Sequence, residues 1–332
     1  MKKILFLSFV FYSTIIGVGF ATGAEIMLYF TRYSKYGLIG LIVSCVIMSV
    51  GAMCCMKPLS RRQSIFCAVF AYIQYVAVLA GSSEICTFLF FRVFTDSGQT
   101  TVAYTYIKVC ITFLFTLLSF LILLKGFKLL INIIGYITPV AATILVAFVL
   151  ISSFFGTSIK GDVPEVSSSL IEVLFKALLY AGYNTLGACV ILPRMKEYTF
   201  CLKNKIWGSV IGIILFFVSG CAVFFSQVLF GIDNLLSVKM PSLLIVSRMG
   251  TWAVIIYCLA LIAIMCLSMF SGLCGTCGMV FKENSRNERR LGLILSLVAI
   301  PLSYIGFTGI IKYVYPIFGL LTPFVLLPEK CR

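Results

Sequence analysis

Long apolar runs separated by short polar loops make up almost the whole chain. Ten can be marked out, at residues 4–30, 37–56, 64–91, 103–124, 129–155, 170–192, 206–230, 251–280, 291–308 and 310–327. A helix crosses a bilayer with about 20 apolar residues, so each run predicts a transmembrane helix, with room for tilt but no fixed angle. The first run is interrupted. At its centre lies Ile15-Ile16-Gly17-Val18-Gly19-Phe20-Ala21-Thr22-Gly23-Ala24-Glu25, with three glycines in one short window. Each glycine costs about 1 kcal/mol of helix stability relative to alanine. The pattern predicts a broken helix, and unpaired backbone is tolerated in hydrocarbon only where protein or a cavity surrounds it. Close packing against a neighbour is the other use of such glycines. A cleavable leader, with Lys2-Lys3 ahead of an apolar core, is disfavoured because the run continues past residue 24.

Composition narrows the class. The chain of 332 residues is 61% hydrophobic and 11% charged, which marks an all-α polytopic membrane protein rather than a soluble domain. There is no histidine, so the usual neutral-pH proton shuttle and commonest metal ligand are missing. The net charge of +15 does not point to nucleic acid, because the basic residues sit in short loops. With the N-terminus inside, seventeen Lys and Arg fall on the cytoplasmic side and seven outside. This asymmetry predicts a multi-pass protein of the bacterial plasma membrane, both termini cytoplasmic and the bilayer its main partner. No partner protein is implied. The fourteen cysteines lie mostly inside apolar runs and read as small apolar side chains, Cys189 among them, with no disulfide framework. Cys274-Gly275-Thr276-Cys277 has zinc or redox spacing but no second pair.

The chain divides into a first repeat at 1–155, an external linker at 156–169 and a second repeat at 170–332. The sixth run contains Tyr180-Ala181-Gly182-Tyr183-Asn184-Thr185-Leu186-Gly187, again polar and glycine-bearing. It holds the same place in the second five runs as the glycine window holds in the first. Five crossings reverse the starting side, so the halves are expected to be inverted repeats. Interrupted segments at matching positions are the best sequence pointer to a transporter site. A second external stretch, 231–250, contains Pro241-Ser242-Leu243-Leu244-Ile245-Val246-Ser247-Arg248, too short to span and suited to a lid over an external vestibule.

Gly17-Val18-Gly19-Phe20-Ala21-Thr22-Gly23-Ala24-Glu25-Ile26 resembles the signature of the YkvI-like bacterial membrane proteins. Tyr180-Ala181-Gly182-Tyr183-Asn184 resembles their second short motif. Many of that family have glutamine where Ala24 stands here. Those proteins are similar to the amino acid/polyamine/organocation superfamily, whose LeuT-type fold is a 5+5 inverted repeat with helices 1 and 6 broken. The resemblance implies a secondary active transporter, a symporter working by alternating access. It leaves open a ligand sensor on the same fold, as in germinant-recognising relatives.

The residues suggest how such a site would work. An anionic group such as an amino-acid carboxylate would meet the backbone of Gly17, Gly19, Phe20 and Ala21 at a half-helix end. Tyr180, Tyr183, Asn184 and Thr185 would complete a site for a small amino-acid-like or organic amine solute. Resemblance to sodium-coupled members implies a cation between Ser13, Ile16, Ser268 and Ser271. Two acids within the runs, Glu84 and Glu25, are alternative proton carriers, since intramembrane charges are usually functional. No cofactor is needed beyond sodium or a proton. The absence of histidine, the few acids and the lack of a nucleophile motif argue against an enzyme.

Overall fold

The computed structural model describes residues 1–94, 101–155, 169–306 and 309–326. Residues 156–168 of the expected external linker, with Lys160, lie outside the described residues, as do Lys330 and Arg332 at the C-terminus.

The first run is broken as its glycines predict. It consists of α1 (Lys2–Ile15), α2 (Val18–Ala21) and α3 (Ala24–Tyr29). After a 3-10 turn come α4 (Lys35–Cys55), α5 (Arg61–Phe94), α6 (Thr101–Lys125) and α7 (Phe127–Phe154). Gly126, at φ 92°, lets α7 begin directly after α6, in a conformation that costs a residue with a Cβ. The second half holds α8 (Leu170–Ile191), a short α9 (Lys196–Thr199), α10 (Leu202–Phe230), α11 (Pro241–Val246), α12 (Thr251–Val280), α13 (Arg286–Leu302) and α14 (Tyr315–Leu326). A π-helical turn, Ile310–Val314, leads into α14. Ser169 and Ser285 cap α8 and α13, each hydroxyl accepting from the N–H of a glutamate three residues on, Glu172 and Glu288.

Seven of these helices are long and apolar enough to cross a membrane. The first, ninth and tenth runs are instead a broken, a shorter and a π-interrupted helix. Phe113, Val140, Val218, Leu259 and Ile294 stand exposed on the outer surface, as a lipid-facing belt requires.

The sixth run differs from its prediction. Leu170–Ile191 is one uninterrupted α-helix, ended by a 3-10 turn containing Pro193. Gly182 is there for a crossing, not a break. A Cβ on Gly182 would collide with the carbonyl of Gly319 in α14, and one on Gly319 with the carbonyl of Leu179. Two glycines therefore let these backbones touch, as small residues do between membrane helices. Asn184 Nδ2 donates to Tyr180 O at 3.0 Å and Thr185 Oγ1 to Ala181 O at 2.7 Å, so both side chains reinforce the helix.

Glycines of α12 serve close packing on α5 and α8. A Cβ on Gly272 would meet Ala71 O at 3.0 Å and Tyr75 Cβ at 2.9 Å in α5, and Gly275 packs on Val190 of α8. The segment expected as a lid is anchored: Ser242 N donates to Thr22 O at 3.1 Å, and Ile245 and Val246 of α11 are fully buried. The reading of Cys189 as a simple apolar side chain is corrected. It forms a disulfide with Cys55, joining α4 to α8, with Cα atoms 4.8 Å apart.

Candidate substrate and ion site

Helix α1 stops because Ile16 takes ψ 86° and Gly17 is fully extended, at φ −100° and ψ −172°. Gly17 N–H turns back to Ile15 O at 2.9 Å, and helical bonding resumes only with Ala21 N to Gly17 O at 3.0 Å. The N–H groups of Val18, Gly19 and Phe20 and the carbonyls of Ser13, Thr14 and Ile16 are left without backbone partners. Free donors thus sit beside free acceptors at mid-helix. The far end of α2 is closed off: Tyr257 OH donates to Ala21 O, Ser242 N to Thr22 O, and Gln227 Nε2 to Gly23 O at 2.8 Å. Gly23 lies in the left-handed region at φ 76°, which turns the chain into α3.

The group that approaches Gly19 is the chain's own Glu25. Its carboxyl packs on the Gly19 backbone so closely that any Cβ there would overlap Oε1, Cδ and Cγ. Glu25 is buried and has no basic partner among the described residues. Tyr29, Tyr180, Tyr183 and Tyr315 all lie within its electrostatic reach. Tyr183 approaches the carboxyl most directly, yet its hydroxyl completes no well-formed hydrogen bond, nor do those of Tyr29 and Tyr180.

Two small cavities flank the break. The inner one is lined by Gly17, Gly19, Glu25, Gln74, Tyr183, Asn184 and Tyr315 among others, with Phe70 and Val78 as its apolar wall. Its volume is about 20 Å³, room for about one water. No neighbour comes within 4 Å of where a Gly17 Cβ would stand, so that glycine borders the open space. The second cavity, also about 20 Å³, is lined by Ser13, Thr14, Gln74, Gly187, Ser268 and Ser271 among others. Ser13 Oγ donates to Phe9 O at 2.7 Å, Thr14 Oγ1 to Phe11 O at 2.7 Å and Ser271 Oγ to Leu267 O at 2.7 Å. Hydroxyls whose protons are committed to their own helix keep lone pairs to offer.

Of the residues proposed from sequence for the solute, Gly17, Gly19, Tyr183 and Asn184 border the inner cavity. Phe20 packs on Phe216 with ring centroids 5.4 Å apart, and Ala21 serves through its carbonyl. Tyr180 lies one turn away, against Phe30 at 5.0 Å. Thr185 faces α4, where a Cβ on Gly51 would meet it. Of the cation set, Ser13, Ser268 and Ser271 share the second cavity, and Ile16 does not line it. Glu84 is neither unpaired nor deeply buried: its carboxylate lies 3.4 Å from Lys239 Nζ, and its side chain is 32% exposed. Gln74 and Thr14, which line both cavities, were missed. The one available signal was that Gln74 is a lone amide inside an apolar run.

Neither a known protein family nor any curated protein matches the sequence. Solved structures do. A histidine-to-alanine mutant of the Eremococcus coleocola manganese transporter aligns with 97% of this chain and 76% of its own, at 11% identity and TM-score 0.56. A glutamate-to-alanine mutant of that transporter gives the same coverage, identity and score. Its complex with an aromatic bis-isothiourea substituted compound aligns over 98% and 76%, at 11% identity and TM-score 0.54. The chain has the fold of that transporter.

Proposed function

We propose that the protein is a secondary active transporter of a small organic solute, coupled to a cation and working by alternating access. The observation that carries this reading is the break at Ile16–Gly17. There, free peptide donors and acceptors, Glu25 and the Tyr183 hydroxyl beside its carboxyl converge on two adjoining cavities. Unpaired backbone at that depth is costly unless something binds it. The cavities are too small for a solute in this closed arrangement, and alternating access supplies the enlargement.

Ten crossings in a LeuT-type inverted repeat are part of the proposal. In support, helix contacts recur when the two halves are exchanged. Contact of α1 with α10 has its counterpart in α8 with α4, that of α1 with α7 in α8 with α14, and that of α5 with α6 in α12 with α13. The Lys and Arg bias then puts both termini in the cytoplasm. Only one of the two symmetry-related helices is broken, so the free backbone comes from one side of the site.

The solute is organic rather than a divalent metal. Among the described residues no three His, Cys, Asp or Glu are grouped to hold a metal ion. Neutral oxygens of Ser13, Thr14, Gln74, Ser268 and Ser271 suit a hard monovalent cation such as sodium, and Glu25 suits a proton. Of the solutes expected from sequence, the amino-acid-like one fits a site of free N–H groups and hydroxyls. The test is uptake of labelled amino acids and amines into proteoliposomes under separate sodium and proton gradients. The ion whose gradient drives accumulation is the coupling ion, and indifference to both removes coupling. The unbroken α8 favours a second reading, a non-transporting ligand sensor, for which ligand would bind without flux.

A further inference from the structure

A third cavity, of about 300 Å³, opens on the face of the bundle away from the N-terminus. Helix α3 borders both this cavity and the inner one. Ala24, Met27 and Leu28 line this vestibule, while Glu25 lines the inner cavity and Tyr29 packs against Tyr183 in a tilted arrangement with ring centroids 5.9 Å apart. The helical period puts these two sets on opposite faces of one short helix. Among the described residues the vestibule's polar lining is cationic: Arg32, Lys239 and Lys312, with Ser237, and no acidic side chain. Lys239 is neutralised by Glu84 at 3.4 Å. Arg32 and Lys312 have no acid among the described residues; their recorded contacts are the rings of Tyr33 and Tyr313, at 5.4 and 5.3 Å.

We infer that this vestibule is an anion-collecting antechamber, and that the solute admitted past α3 carries a net negative charge, as a small organic carboxylate does. The inference rests on the carrier reading for what happens beyond α3, but the vestibule's own selectivity does not. Two cations with no acid beside them among the described residues, in a recess with apolar walls, focus a positive potential, which concentrates anions and repels cations. An organic amine or a divalent metal would have to enter against that field. The apolar wall of Met27, Leu28, Leu236 and Val238 suits a carboxylate borne on a short carbon skeleton. An anionic lipid headgroup presents the same charge and is separated by the experiment.

Ser237→Cys places a thiol on the exposed vestibule wall. The protein is reconstituted in phosphatidylcholine, and labelling of that residue is followed by mass spectrometry with an anionic and a cationic methanethiosulfonate of similar size. The anionic reagent is expected to react at least about tenfold faster than the cationic one, and the ratio to collapse in Arg32→Gln/Lys312→Gln. Uptake of labelled aspartate, alanine and putrescine is measured in parallel. Aspartate uptake is expected to show a raised KM with unchanged kcat in Arg32→Gln/Lys312→Gln. Equal reagent rates, a ratio indifferent to the two substitutions, or putrescine uptake that the substitutions leave unchanged or slow would overturn the antechamber. Loss of the ratio on adding phosphatidylglycerol would overturn it in favour of a lipid site. Retention of the ratio with no uptake of any solute leaves the antechamber standing and removes the carrier.

Discussion

Gly17 and Gly19 are two residues apart and do different jobs. Gly17 faces open space, so Gly17→Ala should fold normally while its methyl group intrudes on the inner cavity. Gly19 carries the Glu25 carboxyl, so Gly19→Val must push that carboxyl out of the break. The expected result is that both variants express, that Gly17→Ala weakens a ligand-induced thermal shift, and that Gly19→Val abolishes it. An undiminished shift in Gly19→Val would show that ligand binds elsewhere. Glu25→Gln keeps the shape and removes the exchangeable proton. It should leave solute counterflow intact and eliminate proton-driven accumulation, whereas equal loss of both would make Glu25 a purely steric element. At this scale the sequence was informative where residues were unusual for a membrane span. The glycine window, Glu25, Tyr183 and Asn184 stood out for that reason. Thr14 and Gln74 did not, because one polar side chain in an apolar run looks the same whether it faces a cavity or a neighbouring helix. Tyr180 and Thr185 share the motif of Tyr183, but a turn or a rotation about the helix carries them away from the cavity.

The helices show why one glycine motif broke and the other did not. In the first run three glycines interrupt the chain; the carbonyls at the far end, Ala21 to Gly23, are taken up by α12, α11 and α10, and the groups freed at Ile16–Gly17 face the cavities. In α8 Gly182 meets Gly319 at a close crossing, and Gly187 stays within the helix among good helix formers such as Ala181 and Leu186. A glycine at a close crossing and a glycine at a break give the same letter, so the choice depended on α14, far away in sequence. Gly182→Val and Gly319→Val should each destabilise the protein by overpacking, by about 1–3 kcal/mol. Their signature is a lower melting temperature in detergent with unchanged solute preference. A shifted preference at normal stability would instead put Gly182 in the site. The Cys55–Cys189 bond was illegible for the same reason. Each cysteine alone is a small apolar side chain, and only the packing of α4 on α8 brings the pair together.

For the whole molecule, apolar run lengths anticipated the seven helices that are long and apolar enough to cross a membrane, because crossing a bilayer imposes a length that sequence displays directly. The proposed division into halves was read from the long 156–169 connection and the two glycine-bearing runs, while the contacts that support it are tertiary. The proposed function draws on the arrangement: a closed pair of small cavities at a helix break, a short helix that lines both the inner cavity and a wider recess, and proposed coupling-ion sites beside the break. The most direct test is the steady-state accumulation ratio of a labelled amino acid in proteoliposomes under an imposed sodium or proton gradient, with Gly19→Val reconstituted alongside. Accumulation above the outside concentration by the unaltered protein, absent in Gly19→Val, is the predicted result. Ligand binding with no accumulation, or equal accumulation by the variant, would contradict the account.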